Sequence, residues 1–260
     1  MSDSKLGIAF LASAPMRLTP SDRAEMVNVL LFGETFDILE EQPKWVHIKL
    51  HHDGYEGWLD RLQYQSISQA FFDQISAQEN VICCETIQLL KAADAAQSTL
   101  IPQGSYLPLF SNNTVRLEHQ EFEFAGDHTT GKNTRQALID IAFSYLNSPY
   151  LWGGRTPMGI DCSGFTQMVY RQYGKNIPRD ASQQAKKGMT LSFLEECEPG
   201  DLAFFDNAEG NIVHVGIVIE DGKIIHASGK VRVDGLDHSG IYNAELGRHT
   251  HKLRVLKRLI

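Results

Sequence analysis

The sequence predicts an α+β domain over residues 131–260, preceded by two small all-β domains over residues 1–63 and 64–130. Three observations support this prediction. The first 63 residues alternate apolar and polar positions between Gly and Pro turns, and residues 64–130 carry a fainter version of that pattern. From Asn133 onward helical spacing comes first and strand-like apolar runs follow it. Helices followed by a run of strands are typical of α+β domains.

The alternation in the first domain predicts short strands, and the Gly and Pro turns between these strands predict a small β-barrel. One segment, 21–31, departs from the alternation, because Ser21 or Asp22 is placed to cap a short helical turn through Glu25. The second domain repeats the strand pattern at 81–84 and 86–90 and has a turn-rich stretch at 101–108, and a linker is expected at 126–132. The first domain's predicted strands are 35–39, 45–50 and 55–59.

The third domain begins with two predicted helices. The first spans about 137–146 and ends before Pro149, and the second starts at Cys162 and stops at Gly174. Strands are then expected at 202–205, 213–219, 223–227 and 254–259.

Charge and cysteine content exclude several function classes. The net charge is −8 and no Lys or Arg cluster stands out, so neither nucleic acid nor an anionic membrane is an expected partner. The four cysteines show no CxxC pair and no metal-ligand spacing. No disulfide framework is expected from them, which fits a reducing compartment, and we expect a cytoplasmic protein. The apolar run 6–11 is too short for a signal peptide and Asp3 has the wrong charge, so a first strand is expected there.

Cys162 is the candidate nucleophile. Asp161 is placed as the N-cap of the second helix, which puts the thiol in the first turn. There the unpaired backbone N–H groups and the helix dipole stabilise a thiolate, and the same N–H groups can form an oxyanion hole. The position at a helix start, taken alone, fits a half-buried structural cysteine as well as it fits a catalytic one.

Two histidines on consecutive predicted strands favour the catalytic interpretation. A two-residue turn at Asp221-Gly222 would set His214 and His226 on opposite faces of the hairpin. A three-residue turn starting at Glu220 pairs His226 with Gly216 and brings both imidazoles to one face, roughly 5.5–8 Å apart. One imidazole then serves as base for Cys162 and the other orients it. A zinc site formed by both histidines and a carboxylate is the alternative, but no third residue lies at a sequence spacing typical of a zinc ligand.

The motifs of the third domain together resemble those of the NlpC/P60 cysteine peptidases. They are YLWGG at 150–154, GIDCSGF at 159–165, IPRD at 177–180, HVGI at 214–217 and HAS at 226–228. The resemblance implies a papain-like fold and a triad with Cys162 as nucleophile, His214 as base and His226 as the orienting member. It also implies no metal and no organic cofactor.

The N-terminal part resembles bacterial SH3 domains, most clearly at DGYEGW over 53–58. Two such barrels before an NlpC/P60 domain resemble the γ-D-glutamyl-L-diamino acid endopeptidases. The resemblance implies that Glu25 and Tyr55 contact a free substrate amine, and that Tyr150 is a candidate oxyanion donor. One departure is Ala181, where relatives often carry Ser; Ser182 is a substitute candidate. The pocket residues implied in the third domain are Trp152, Asp161, Ser163, Arg179 and Asp180.

The expected function is hydrolysis of the γ-D-Glu–diamino acid bond in peptidoglycan-derived peptides such as L-Ala-γ-D-Glu-diamino acid, during muropeptide recycling. Two alternatives stay open: a secreted endopeptidase that trims intact peptidoglycan, and a wall-binding SH3 protein whose catalytic domain is idle. Each residue singled out also has a structural interpretation: Tyr55 and Trp152 as packing residues, and Glu25 as a solvated or capping residue.

Overall fold

The computed structural model describes residues 5–131 and 134–260. Three residues used in the sequence predictions lie outside these ranges: Asp3, Lys132 and Asn133. Asp3 was used for the N-terminal segment, and Asn133 for the onset of helical spacing. The chain divides into two compact units, Met1–Gly131 and Lys132–Ile260. None of the helices in the described ranges is long and apolar enough to cross a membrane.

The first unit opens with an antiparallel sheet of seven strands in the order β3-β2-β6-β5-β4-β1-β7. Burial alternates along β2 and β6, and Met16, Leu30, Phe36 and Val46 form part of the buried core of the sheet. The strands predicted at 35–39, 45–50 and 55–59 are confirmed as β4, β5 and β6, within one or two residues. The seven strands are β1 Lys5–Ile8, β2 Ser13–Arg17, β3 Met26–Leu31, β4 Thr35–Glu41, β5 Trp45–Leu50, β6 Glu56–Asp60 and β7 Gln65–Ile67.

The predicted helical turn through Glu25 is wrong. Residues 21–24 form a hydrogen-bonded turn, in which the Ala24 N–H donates to the Ser21 carbonyl at 3.0 Å. The chain then enters β3 at Met26. The β-branched side chains of Val27 and Val29 favour a strand, and pairing with β2 takes up the backbone groups that a helix would have used.

Residues 64–131 supply one helix and six further strands. The strands predicted at 81–84 and 86–90 are confirmed as β8 and β9, whereas the helix, β10, β11, β12 and β13 were not predicted. The predicted linker is wrong at His128–Thr129, because these residues form β13 and pair with β8. Apolar residues of this region, including Phe71 and Phe122, share one buried cluster with Ile8 of β1 and with Phe32, which directly follows β3. A second SH3-like barrel therefore stays a prediction. The elements are α1 Gln69–Ser76, β8 Ile82–Cys83, β9 Ile87–Ala92, β10 Thr99–Pro102, β11 Thr114–Leu117, β12 Gln120–Glu123 and β13 His128–Thr129.

The second unit begins with helices, as predicted. The Thr134 hydroxyl accepts the Ala137 N–H and so caps the first of them. The second starts at Cys162 and ends at Gly174, its C-cap residue, which confirms both predicted ends. The elements up to the main sheet are α2 Arg135–Ser144, β14 Arg155–Thr156, β15 Gly159–Ile160, α3 Cys162–Tyr173 and α4 Ala181–Gln184.

The main sheet of the second unit has seven strands in the order β16-β22-β17-β18-β19-β20-β21. Because β21 also pairs with β22, the six strands from β22 to β21 close into a barrel, and β16 lies outside it. Ala203, Phe205, Val218 and Leu236 are among the apolar residues buried inside it. The sequence predicted β17, β18, β19 and the end of β22, but not β16, β20, β21 or the first half of β22. The strands are β16 Met189–Leu191, β17 Leu202–Asp206, β18 Ile212–Ile219, β19 Lys223–Ser228, β20 Lys230–Asp237, β21 Gly240–Asn243 and β22 Arg248–Arg258.

Candidate active site

Cys162 is the first residue of α3, and Asp161 caps that helix as predicted. Asp161 Oδ1 accepts the Gly164 N–H at 2.7 Å, which satisfies one of the orphan donors of the first turn. The Cys162 sulfur also accepts hydrogen bonds from the backbone N–H groups of Ser163 and of Val215 on β18. The nucleophile candidate is therefore held between the start of a helix and the strand that carries His214.

Asp161 is anchored by a buried arginine. Arg179 donates from Nη1 to Asp161 Oδ1 at 3.0 Å and from Nη2 to Oδ2 at 2.5 Å, a two-point pairing that fixes the carboxylate plane. Arg179 Nη1 also donates to Ser163 Oγ at 2.9 Å, and the Gly153 N–H donates to Asp161 Oδ2 at 2.8 Å. These partners give Asp161, Ser163 and Arg179 a structural role at the start of α3; their contact with substrate stays a prediction.

The Cys162 thiol is buried, and this changes its ionisation. Burial, followed by the negative charge of Asp161, raises the pKa of Cys162 to about 12, against the opposing effect of the Val215 and Ser163 N–H groups and of Arg179. The helix start alone predicted a thiolate. Because burial outweighs the N–H donors, the resting group is a neutral thiol that needs a base.

The two predicted histidines face the same way, and the predicted register is confirmed. Gly216 pairs with His226 and Ile219 pairs with Lys223, which leaves a three-residue turn. Gly222 in that turn has φ +62°, in the left-handed region. A side chain at position 216 would place its Cβ 2.8 Å from the His226 Cβ, so glycine is required for the imidazole to lie there.

His214 and His226 form a hydrogen-bonded pair inside the end of the barrel. His214 Nε2 lies 2.8 Å from His226 Nδ1, and the two ring centroids are 5.0 Å apart. Both residues are buried, with 5% and 1% exposure. Burial, together with the neighbouring His226 and His251, lowers the pKa of His214 well below its usual value. His214 is therefore a neutral imidazole at physiological pH, as a general base must be.

Two further groups complete this cluster, and sequence reasoning missed both. Asp234 on β20 places Oδ2 3.0 Å from His226 Nε2. His251 on β22 stacks on the His214 ring at a centroid distance of 4.1 Å and an angle of 25°. Burial, followed by the effect of His226, lowers the pKa of His251 to about 4, so it adds no positive charge beside His214 at neutral pH.

Comparison with known proteins assigns the domain that holds this cluster. Residues 147–250 match the NlpC/P60 family, a range that includes Cys162, His214, His226 and Asp234. The chain carries an NlpC/P60 domain. Residues 16–62 match the bacterial dipeptidyl-peptidase SH3 domain, so an SH3 domain precedes the NlpC/P60 domain in the chain.

Two relatives that match about three quarters of the chain are named as peptidases. The chain is 29% identical over 215 residues to a γ-D-glutamyl-L-lysine dipeptidyl-peptidase of Bacillus subtilis (strain 168), a match covering 76% of this chain and 71% of that protein. It is 27% identical over 220 residues to the protein of the same name from Bacillus cereus (strain ATCC 10987 / NRS 248). That match covers 76% of this chain and 66% of the B. cereus protein.

A solved structure shows the same fold. The crystal structure of an NlpC/P60 family protein from Bacillus cereus ATCC 10987 aligns with a TM-score of 0.82 at 22% identity, covering 98% of this chain and 99% of that one.

The remaining residues predicted for the NlpC/P60 domain have varied environments. Burial, followed by the effects of Cys162 and Asp161, raises the pKa of Tyr150 to about 12, so its hydroxyl stays protonated. Trp152 is 58% exposed. Asp180 is half-buried and is the N-cap residue of α4, while the neighbouring Ala181 is buried and Ser182 is exposed.

Glu25 and Tyr55 belong to the SH3 domain. Glu25 is exposed, and its backbone carbonyl accepts the Leu18 N–H at 3.0 Å. Tyr55 is half-buried and packs against the core of the first sheet, which accords with its structural interpretation. Their contact with a substrate amine stays a prediction.

Among the described residues, no group of three or more His, Cys, Asp or Glu side chains is arranged to hold a metal ion. The His214–His226 and His226–Asp234 distances of 2.8 Å and 3.0 Å are those of a hydrogen-bonded chain.

The neutral state of Cys162 predicts how the thiol reacts with pH. A neutral thiol beside a neutral imidazole should be alkylated slowly by iodoacetamide at pH 5, and faster as the pH rises through the alkaline range toward its raised pKa. The second-order rate constant for Cys162, followed by peptide mass spectrometry from pH 4 to 10, checks this. A rate plateau that begins near pH 4 would instead indicate a preformed thiolate–imidazolium pair.

Proposed function

We propose that this protein is a cysteine peptidase in which Cys162 is the nucleophile and His214 the general base. The main observation in support of this proposal is the buried cluster in the NlpC/P60 domain. There, strand β18 donates the Val215 N–H to the Cys162 thiol and also carries His214. The His214–His226 hydrogen bond supports a base that is already oriented.

Acylation starts from the neutral pair. As the sulfur attacks the scissile carbonyl carbon, its proton passes to His214. Nε2 of His214 contacts His226, which leaves Nδ1 as the accepting nitrogen. The tetrahedral intermediate carries an oxyanion, for which the Tyr150 hydroxyl and the Cys162 N–H are the proposed donors. A tyrosine whose pKa is about 12 keeps the proton that this donation requires.

Acylation ends when the imidazolium of His214 protonates the leaving amine, the C–N bond breaks, and a thioester links the acyl group to Cys162. In deacylation His214, neutral again, takes a proton from water as the water attacks the thioester carbonyl. The tetrahedral intermediate then collapses, the C–S bond breaks, the acid product is released, and His214 returns the proton to the sulfur of Cys162.

The proposed substrate is a short cell-wall peptide, L-Ala-γ-D-Glu-diamino acid, cut between γ-D-Glu and the diamino acid. Two relatives named γ-D-glutamyl-L-lysine dipeptidyl-peptidases support this choice. We place the reaction in the recycling of muropeptides in the cytoplasm. The four free cysteines of the chain support a reducing compartment.

Selectivity for a free N-terminus is the expected signature of recycling. If Glu25 and Tyr55 bind the substrate ammonium, an acetylated peptide loses a charge-assisted hydrogen bond and leaves the carboxylate without its partner. Glu25 is exposed in the protein alone; if the bound peptide covers the ion pair, such a loss costs about 2–5 kcal/mol, which corresponds to a roughly 30- to several-thousand-fold lower kcat/KM. The measurement compares L-Ala-γ-D-Glu-diaminopimelate with its N-acetyl form, with products identified by mass.

Glu25→Ala tests the residue behind that selectivity. The variant should cleave the free peptide much more slowly and change little toward the acetylated one. Glu121→Ala, which removes another exposed carboxylate of the same unit, is the matched control and should behave as wild type. Equal wild-type rates on both peptides, or cleavage of intact peptidoglycan, would favour a wall-trimming enzyme; no turnover of any of them would favour an idle domain.

A further inference from the structure

The second catalytic histidine has a carboxylate partner that lies beyond the expected triad. His226 Nε2 is 3.0 Å from Asp234 Oδ2, and Asp234 is buried with 7% exposure. Arg232 holds this carboxylate from the other side, since its Nη2 donates to Asp234 Oδ1 at 3.0 Å and its Nε lies 2.8 Å from Oδ2. Arg232 in turn donates to Glu245 at 3.0 Å.

An ionised carboxylate fixes the protons along this chain. Burial raises the pKa of Asp234, but the hydrogen bonds from His226 and Arg232 outweigh burial and hold the pKa below its ordinary value. As a carboxylate, Asp234 only accepts, so the His226 proton must lie on Nε2. Nδ1 of His226 is then an acceptor for the Nε2–H of His214, at 2.8 Å.

This order of donors leaves the lone pair of His214 on Nδ1, the nitrogen that has to take the thiol proton. The opposite order, with a proton on His226 Nδ1, would push the His214 proton onto Nδ1 and remove the base. An acceptor at position 234 excludes that order, and its negative charge stabilises the imidazolium that forms when Cys162 is deprotonated.

We propose that Asp234 is a positioning residue for catalysis, which sets the tautomers of His226 and His214 and balances the charge that develops on them. The inference rests on the proposed function. Arg232 keeps the carboxylate ionised and aligned. The charged and titratable groups around His226 are thus His214, His251 (ring centroids 5.8 Å apart), Asp234 and Arg232.

The test uses two substitutions with opposite expected effects on the pH profile. Asp234→Asn should lower kcat/KM by about 10- to 100-fold, as expected when a histidine loses the partner that orients it. Removing a negative charge destabilises the protonated imidazoles, so the acidic limb of kcat/KM should move to lower pH. Arg232→Gln removes a positive charge and should move the same limb to higher pH.

A matched control lies on the same strand. Asp237 pairs with His249 at 2.8 Å, and both side chains are exposed. Asp237→Asn should change kcat/KM by less than about twofold and leave the acidic limb in place.

The outcomes separate the two proposals. A wild-type enzyme that cleaves peptides, with the acidic limb unmoved in both Asp234→Asn and Arg232→Gln, would overturn the role of Asp234 alone. A wild-type protein that cleaves none of the peptides would overturn the proposed function. Should Asp234→Asn fail to fold, the direction of the limb in Arg232→Gln decides.

Discussion

Cys162→Ser is expected to retain the fold and to lose about 10³-fold or more of kcat, because a hydroxyl beside the same base is a far weaker nucleophile. The residue is buried at a helix start and the change in volume is small, so the circular dichroism spectrum and melting temperature should stay close to those of wild type. Steady-state hydrolysis of the free tripeptide, with a limit of detection well below one-thousandth of wild type, measures the loss.

Cys197→Ser is the matched control for this change. Cys197 is half-buried in the same unit and packs against the barrel core, and burial raises its pKa to about 11. Its substitution should leave turnover within about twofold of wild type, as expected away from functional groups. If Cys162→Ser were as active as Cys197→Ser, the chemistry would lie elsewhere in the protein.

Arg179→Met is expected to produce the largest loss of stability. It removes both contacts of the guanidinium with Asp161 and leaves the carboxylate buried, with a side chain only 7% exposed. Breaking a buried ion pair by removing one partner costs about 3–5 kcal/mol. Hydrogen exchange measured in urea on peptides from residues 147–250 reports the free energy of unfolding of this domain.

Lys223→Met supplies the comparison. It breaks the pair with Asp221, whose side chains are exposed and 3.7 Å apart, and should cost at most about 1 kcal/mol. Equal stabilities of the two variants would mean that the Gly153 and Gly164 N–H groups suffice to hold Asp161.

Local sequence signals predicted the core of the site. Asp161 before an apolar helical run predicted the cap, and Gly174 predicted the end of α3. The Glu220–Gly222 turn predicted the register that brings His226 to the face of His214. Each of these features depends on residues close together in the chain, so pattern and turn chemistry specify them.

Three side chains around the site were not predicted, because the apolar–polar pattern of the sequence did not reveal the strands that carry them. Asp234 and Arg232 lie on β20, which was not predicted, and His251 lies in the first half of β22, outside the predicted strand. One signal was available: a tight turn at Gly229 pairs Ser228 with Lys230. That register places Arg232 opposite His226 and Asp234 two residues further on the same face.

The ionisation of Cys162 could not follow from local sequence either. The helix start predicted a stabilised thiolate, but the degree of burial is set by how β18 packs against α3. Desolvation then outweighs the local field and keeps the proton on sulfur.

The closure of the barrel limits how a peptide can be recognised there. In the described part of the chain, β17 is paired with strands on both sides along its length, and so are Gly216–Ile217 of β18 and Lys223–His226 of β19. A substrate therefore cannot be captured by strand addition to these segments, as in domains that bind an extended peptide along a free sheet edge. Strand addition demands the repeating N–H and C=O spacing of α-linked L-residues. A peptide that is bound without backbone strand pairing does not need this regular spacing. D-residues and side-chain amide linkages are therefore no intrinsic obstacle to such binding.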